Sequence, residues 1–249
     1  MLGIIGAMTV EVDELKKIMS DTLEHTVGDM TFVSGKLYGA DAVVTVCGEG
    51  HGCEVELREP MLLLIKKSDE GKVNAAMCTQ AMITEYAPDL IVNTGVGGGL
   101  ADGLKIGDVV VASAVVEHDM DMSPLGYPIG FVGGVNRTEM PCDKKTADLL
   151  ERCTRELNIP CRRGIVASGD QFISSDEKKA FLVKTFNASV CEMEGAAIGH
   201  VCTRNGVPFG VLRSVSDSGD DKASMSFPEF AELAAKNSIA IIKLFASEL

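Results

Sequence analysis

Short runs of β-branched and aliphatic residues punctuate this chain, and almost every run closes on glycine, an acid or a small polar residue. They include LGIIGA (2–7), DLIVNTG (89–95), GDVVVASAVVEHD (107–119), GIVASGD (164–170), ASVCEM (188–193) and PFGVLRSVSD (208–217). Between them lie segments with helical spacing at 9–19, 72–86, 143–157, 175–185 and 195–204. Continuous apolar strands alternating with helices predict an α/β protein with a largely parallel sheet covered on both faces. A hairpin over 30–38 and 41–47, turning at Tyr38–Asp41, and the long 107–119 strand make that sheet mixed. The last segment, from Ser226, reads as an amphipathic helix with Ser226 as N-cap and Glu229 as its capping-box partner. No linker or internal repeat breaks the pattern, so residues 1–249 read as one domain.

In open sheets of this kind, ligands sit beyond the carboxyl ends of the strands. That rule gathers GAMTVE, NTGVGGG, EHDMD, SGDQF, CEMEG and RSVSD at one end of the molecule. Composition narrows what the end can bind. A net charge of −13 argues against nucleic acid and anionic membranes, which need a basic face. With no Trp and 5% aromatics, the core must be aliphatic, with Met as filler. The eight Cys form no CxxC pair and sit mostly in apolar runs, as expected of buried thiols in a reducing, cytoplasmic compartment. The four His are scattered, no Cys/His spacing fits zinc, and neither a metal nor another cofactor is expected. The N-terminus lacks a basic signal region, and no apolar run reaches the roughly 20 residues of a membrane span.

Each candidate motif has a plain reading beside its chemical one. Glu11 in GAMTVE is either a first-turn acid complementing a helix dipole, as Asp13 and Glu14 are, or a site carboxylate beside a strand end. NTGVGGGL (93–100) lacks the GxGxxG and Walker spacings, so a tight turn is preferred over a phosphate cradle. Phe172 in SGDQFIS is either core or a face on which a planar ligand stacks. In CEMEG, Glu192 and Glu194 stand in i, i+2 register and share a face if the segment stays extended. Facing a cleft, a carboxylate there could accept bonds from both hydroxyls of a ribose diol; otherwise the two are surface acids. Asp217 ends an apolar strand. It either starts an Asx turn or, with a raised pKa, donates a proton.

Taken with their order and spacing, LGIIGAMTVE, NTGVGGGL, GDVVV…HD, SGDQFI, EMEGAAI, PFGVLRSVSD and SFPEF closely resemble the 5′-methylthioadenosine/S-adenosylhomocysteine nucleosidases of the purine nucleoside phosphorylase superfamily. The resemblance runs from Leu2 to near the C-terminus. It implies a three-layer α/β/α fold around a central mixed sheet, a homodimer, and hydrolysis of the N-glycosidic bond of a small nucleoside to free adenine. By that likeness Glu11 activates the attacking water, Glu194 holds the ribose over Met193, and Asp217 protonates adenine N7 with Arg213 and Ser216 as neighbours. Phe172 stacks on adenine, and the Ile173 backbone reads its edge. Met8, Tyr127 and Phe227 surround the sugar and its 5′ tail, while Met122 and Leu125 reach into the partner's site. Glu192 belongs to the same cleft without a defined role.

Some positions depart from the family pattern. Residues 49–70, EGHGCEVELREPMLLLIKKSDE, stand as an insertion of about twenty residues before GKVNAA, and bring His51 near the site as a loop histidine. Val96 replaces a usual Ser beside the ribose and nucleophile pocket, and Leu125 a usual Phe. Competing readings are a nucleosidase for 5′-deoxyadenosine or an aminodeoxyfutalosine-type nucleoside, a phosphate-dependent phosphorylase, and an inactive nucleoside-binding protein. An acid in GAMTVE, where a phosphorylase holds phosphate, favours water as the nucleophile.

Overall fold

The computed structural model describes residues 1–6, 8–47, 71–218 and 223–249; the side chains of 10, 223–229 and 232 lie outside that description. The segment read as an insertion, with His51, falls outside the described residues. Strands are β1 Leu2–Gly6, β2 Ser20–Val27, β3 Met30–Leu37, β4 Ala40–Val46, β5 Leu90–Gly99, β6 Val109–Glu117, β7 Met140–Pro141, β8 Cys161–Ser168, β9 Ala188–Glu192 and β10 Phe209–Asp217. Helices are α1 Asp13–Ile18, α2 Lys72–Tyr86, α3 Lys144–Glu156, α4 Asp176–Phe186, α5 Gly195–Asn205 and α6 Ala223–Ser247.

The strands form one mixed sheet. β1 lies parallel between β4 and β5, and β5 is parallel to β10. β10 is antiparallel to β6, β6 parallel to β8, and β8 parallel to β9. β9 then returns antiparallel to β5 at Gly98 and Gly99, so β5, β10, β6, β8 and β9 close a ring. On the far side, β4, β3 and β2 continue as an antiparallel meander.

Alternate residues of the central strands enter two different cores, as period-two side chains must. Ile4, Val92, Val109, Val111 and Leu212 pack with Leu15, Leu150, Ile242 and Phe245. Ile5, Ile91, Val110 and Val211 pack with Cys78, Met82, Ile198 and Cys202. Thus α1, α3 and α6 cover one face, α2 and α5 the other, and α4 closes a smaller cluster with Leu182 and Phe186 against Ala167 and Cys191. This is the three-layer architecture expected from the sequence.

Several local expectations change. The glycine run is not a turn: β5 continues through it to Gly99. A Cβ at Gly97 would stand 2.7 Å from the Cys191 carbonyl oxygen, and one at Gly99 3.0 Å from Val215 Cγ1. The glycines therefore let β9 cross β5 and close the ring. The expected 9–19 helix divides into a 3₁₀ turn, Thr9–Glu11, and α1. β2 has no apolar alternation, being exposed along nearly its whole length, and pairing with β3 alone makes it a strand. α6 begins at Ala223, so Ser226 lies inside it and is not its cap. The hairpin is present, but its turn is shorter than the expected Tyr38–Asp41: Ala40 and Asp41 already pair with Leu37 and Lys36, leaving a two-residue loop with Tyr38 and Gly39 at positive φ.

Candidate active site

The carboxyl ends of β1, β5, β8, β9 and β10 meet around one buried cation, Arg213. Its Nη2 donates to Glu192 Oε2 and, at 2.5 Å, to Asn93 Oδ1; Nη1 donates to the Leu212 carbonyl at 3.0 Å. Glu194 Oε2 lies 3.9 Å from the same Nη2. Burial alone would favour neutral guanidine, but the Glu192, Glu194 and Glu11 carboxylates outweigh it and hold the pKa above its usual value. One fixed positive charge thus faces acids drawn from different segments of the chain.

The two acids of CEMEG have different surroundings. Glu192 ends β9, and its carboxylate is enclosed: Oε1 accepts from Ser168 Oγ, and Oε2 accepts from the N–H groups of Glu194 at 3.1 Å and Gly195 at 2.7 Å. With Arg213 these bonds bind β8, β10 and the start of α5 together. Glu194 has left the extended conformation (φ −128°, ψ −41°) and is the N-cap residue of α5. Its Oε1 instead accepts the Gly71 N–H at 3.1 Å, just before α2. The two carboxylates therefore do not follow simple strand alternation. Each rests on the start of a different helix, where free N–H groups and the helix dipole favour a negative charge.

Glu11 is carried by the 3₁₀ turn after β1 and is fully buried. Its Oε2 accepts the Met8 N–H at 2.9 Å, and its Oε1 accepts the Val96 N–H at 3.1 Å. The first-turn reading therefore fails as a full account, because the carboxylate turns inward onto β5. At the end of β10, Ser216 Oγ donates to buried Asp217 Oδ2 at 2.9 Å and also lies 3.3 Å from the Gly97 carbonyl.

Around these groups, Met8 and Met193 are half-buried, and Val96 contributes a half-buried side chain next to the Glu11 contact. The loop after β8 leaves the wall through a Gly169 N–H to Glu192 carbonyl bond of 3.2 Å, then presents half-exposed Phe172 and buried Ile173. Met122, Leu125 and Tyr127 lie apart, on the outer loop after β6, where the Tyr127 ring stacks on Phe131 at 5.0 Å. Phe227 belongs to α6, but its side chain is outside the described residues.

Sequence reasoning missed Asn93, Ser168, Gly71 and Cys47. A lone amide inside the apolar run DLIVNTG is a readable signal, because a buried amide needs partners, here Arg213 and the Ile5 carbonyl at 2.9 Å. Cys47, just after β4, donates its N–H to the Gly6 carbonyl at 2.9 Å, and its thiol is pushed well above the usual range first by burial and then by the Glu194 charge, with Cys78 and Glu11 contributing. Among the described residues no group of three or more His, Cys, Asp or Glu is arranged to hold a metal ion.

Comparison with known proteins agrees over the full length. The family model described as "Phosphorylase superfamily" matches residues 1–247. A 5′-methylthioadenosine/S-adenosylhomocysteine nucleosidase of Haemophilus influenzae is 39% identical over 242 residues, covering 97% of this chain and 96% of that one. An aminodeoxyfutalosine nucleosidase of Helicobacter pylori is 34% identical, covering 100% and 99%. The crystal structure of the Neisseria meningitidis 5′-methylthioadenosine/S-adenosylhomocysteine nucleosidase with methylthio-immucillin-A superposes with a TM-score of 0.88 at 33% identity, covering 100% and 99%.

Proposed function

The chain belongs to the phosphorylase superfamily, among its 5′-methylthioadenosine/S-adenosylhomocysteine nucleosidases, and from that premise we propose that it hydrolyses the N-glycosidic bond of these nucleosides to release adenine. The observation that carries this reading is the gathering of buried Glu192 and Glu194 on Arg213, with buried Glu11 turned inward onto β5. As the C1′–N9 bond breaks, the ribose gains oxocarbenium character, and an excess of fixed negative charge favours it.

Asp217 donates a proton to adenine N7, so the bond's electron pair leaves on a neutral base. General acid catalysis of this kind contributes roughly 10²–10⁴-fold. Ser216, bonded to Asp217 Oδ2, fixes the orientation of that acid. Glu194 accepts from the ribose hydroxyls, with Met193 beneath the sugar. Glu11 takes the proton of the water that attacks C1′, leaving the free sugar. Phe172 and the Ile173 backbone receive the adenine, and Met8 lines the sugar. Glu192 orients Arg213 and the start of α5, since its oxygens already accept from groups of the chain itself.

Water is favoured over phosphate on local grounds. The Met8 and Val96 N–H groups, which could serve an anion, both bind the Glu11 carboxylate. The 5′ substituent is less constrained, because Tyr127 stands exposed and Leu125 takes the place of a larger Phe. With an aminodeoxyfutalosine nucleosidase among the relatives, that exposure makes a larger 5′ group the second reading. A homodimer is supported by Val73 and Met77 on α2, exposed to 67% and 53%, and by Leu125 at 75%. A reducing, cytoplasmic setting suits the described cysteines, all of them free thiols. The test is adenine release from 5′-methylthioadenosine, S-adenosylhomocysteine and aminodeoxyfutalosine in parallel. Release from the first two supports the reading, and binding without release from any of them contradicts it.

A further inference from the structure

Lys72 opens α2, and its ammonium is held by two carboxylates. Nζ lies 3.1 Å from Glu117 Oε2 and 2.6 Å from Asp119 Oδ1, at and just beyond the end of β6. Glu117 is also tied to α5, where His200 Nδ1 lies 2.8 Å from Oε1. The backbone of the same lysine donates to Asp170 Oδ1 at 2.7 Å, and the Asp170 N–H donates to Asp119 Oδ2 at 2.9 Å. Lys72, Asp119 and Asp170 therefore form a closed set that pins the start of α2 to the ends of β6 and β8. The preceding residue is Gly71, whose N–H reaches Glu194 Oε1 at 3.1 Å.

The path through Gly71 is narrow. Its φ is +121°, a conformation that side chains disfavour, and a Cβ there would stand 2.9 Å from Asp170 Oδ1. The Gly71 N–H can therefore meet Glu194 only if the chain stays pressed onto Asp170. Burial opposes the charge on Lys72, but its bonds to Asp119 and Glu117 prevail and raise its pKa.

We propose that Lys72 is a positioning residue for the nucleoside reaction: by clamping the start of α2 onto Glu117 and Asp119, it holds the Gly71 N–H against the Glu194 carboxylate and fixes that carboxylate for the ribose diol. This rests on the assignment of Glu194 to the ribose. Lys72 touches no reacting atom in this account. Loss of its charge frees the first turn of α2, and Glu194 loses a donor that sets its orientation. Misplacement of such a group by about 1 Å costs on the order of 10²-fold in rate.

The test compares Lys72→Met, Lys72→Arg and Glu194→Gln in the full-length protein. It reads kcat and KM for 5′-methylthioadenosine, the Kd for adenine alone, the melting temperature and the sedimentation coefficient. Lys72→Met should lower kcat/KM by about 10- to 100-fold while adenine, which has no ribose, binds as in the wild type. Lys72→Arg, which can still bridge two carboxylates, should regain most of the loss. If Lys72→Met does not fold, Asp119→Asn should give the same pattern more weakly. Wild-type kcat/KM in folded Lys72→Met or Asp119→Asn, or equal weakening of adenine and nucleoside, overturns the assignment of Lys72. An active Glu194→Gln removes the ribose reading itself, whereas an inactive Glu194→Gln beside an active Lys72→Met overturns Lys72 alone.

Discussion

The Glu11 carboxylate lies so close over Gly95 that a Cβ there would stand 2.8 Å from Oε1 and 3.1 Å from Oε2. The glycine keeps β5 bare at the point where the acid must rest to reach the Val96 N–H. Gly95→Ala should displace that carboxylate without straining the backbone, because φ at this position is not positive. We expect kcat to fall about 10²-fold, as for a misplaced reacting group, with adenine affinity little changed. Steady-state kinetics beside adenine titration check this, and a fully active alanine variant contradicts it.

Glu192 and Arg213 form a buried ion pair whose other bonds join β8, β10 and α5. Glu192→Ala leaves the guanidinium buried without that partner, a change that typically costs about 3–5 kcal/mol. Denaturant unfolding should show a loss of that size. A loss below about 1 kcal/mol, the scale of an exposed pair, would contradict the structural role given to Glu192.

Much of this arrangement could be read from the sequence, and the exceptions have physical causes. The apolar runs fixed the central strands, since a strand buried on both faces leaves a recognisable aliphatic stretch. β2 was hidden because SDTLEHTV is exposed and polar, and only the ladder to β3 makes it a strand. The glycine run suggested a turn because the crossing of β9 over β5, which needs bare backbone, is a long-range contact. Glu11, Glu194 and Asp217 were legible as acids at strand ends. Glu192 was not separable from Glu194 by alternation, because the chain leaves the extended conformation at the start of α5. The Gly71 contact to Glu194 spans 123 positions and leaves no local mark.

Stability should fall on both sides of neutrality. Burial lowers the His118 pKa below its usual 6.5, so the unfolded chain takes up a proton first, and stability drops as pH falls from 6.5 through the lowered value. Burial acts to raise the Glu117 and Asp119 pKa values, but bonds to His200 and Lys72 for Glu117, and to Lys72 for Asp119, leave them below the usual 4.5 and 3.8. Their contribution is full above those values and is lost as pH falls through the lowered ones. Lys72 has the opposite sign: its pKa is raised above 10.5, so its contribution is full below 10.5 and is lost as pH climbs through the raised value. Melting temperatures from pH 3 to 12 test these signs; a flat profile below pH 6.5 contradicts those of His118, Glu117 and Asp119, and a flat profile above pH 10.5 contradicts that of Lys72.

Asp217→Asn keeps the size of the side chain and its place beside Ser216 but cannot supply the N7 proton in the same way. We expect kcat for 5′-methylthioadenosine to fall by about 10²–10⁴-fold, the usual contribution of a general acid, while the nucleoside still binds. Single-turnover adenine release with a separate binding titration distinguishes the two effects. Unchanged turnover would remove Asp217 from the proton transfer.

In the proposed reaction, water received by Glu11 attacks the anomeric carbon. The most direct test is adenine release from 5′-methylthioadenosine by purified protein, with phosphate absent and then added, and with the sugar product identified by mass spectrometry. Attack by water gives the same rate in both conditions and free 5-methylthioribose as the product. A rate that requires phosphate, with 5-methylthioribose 1-phosphate as the product, would contradict it.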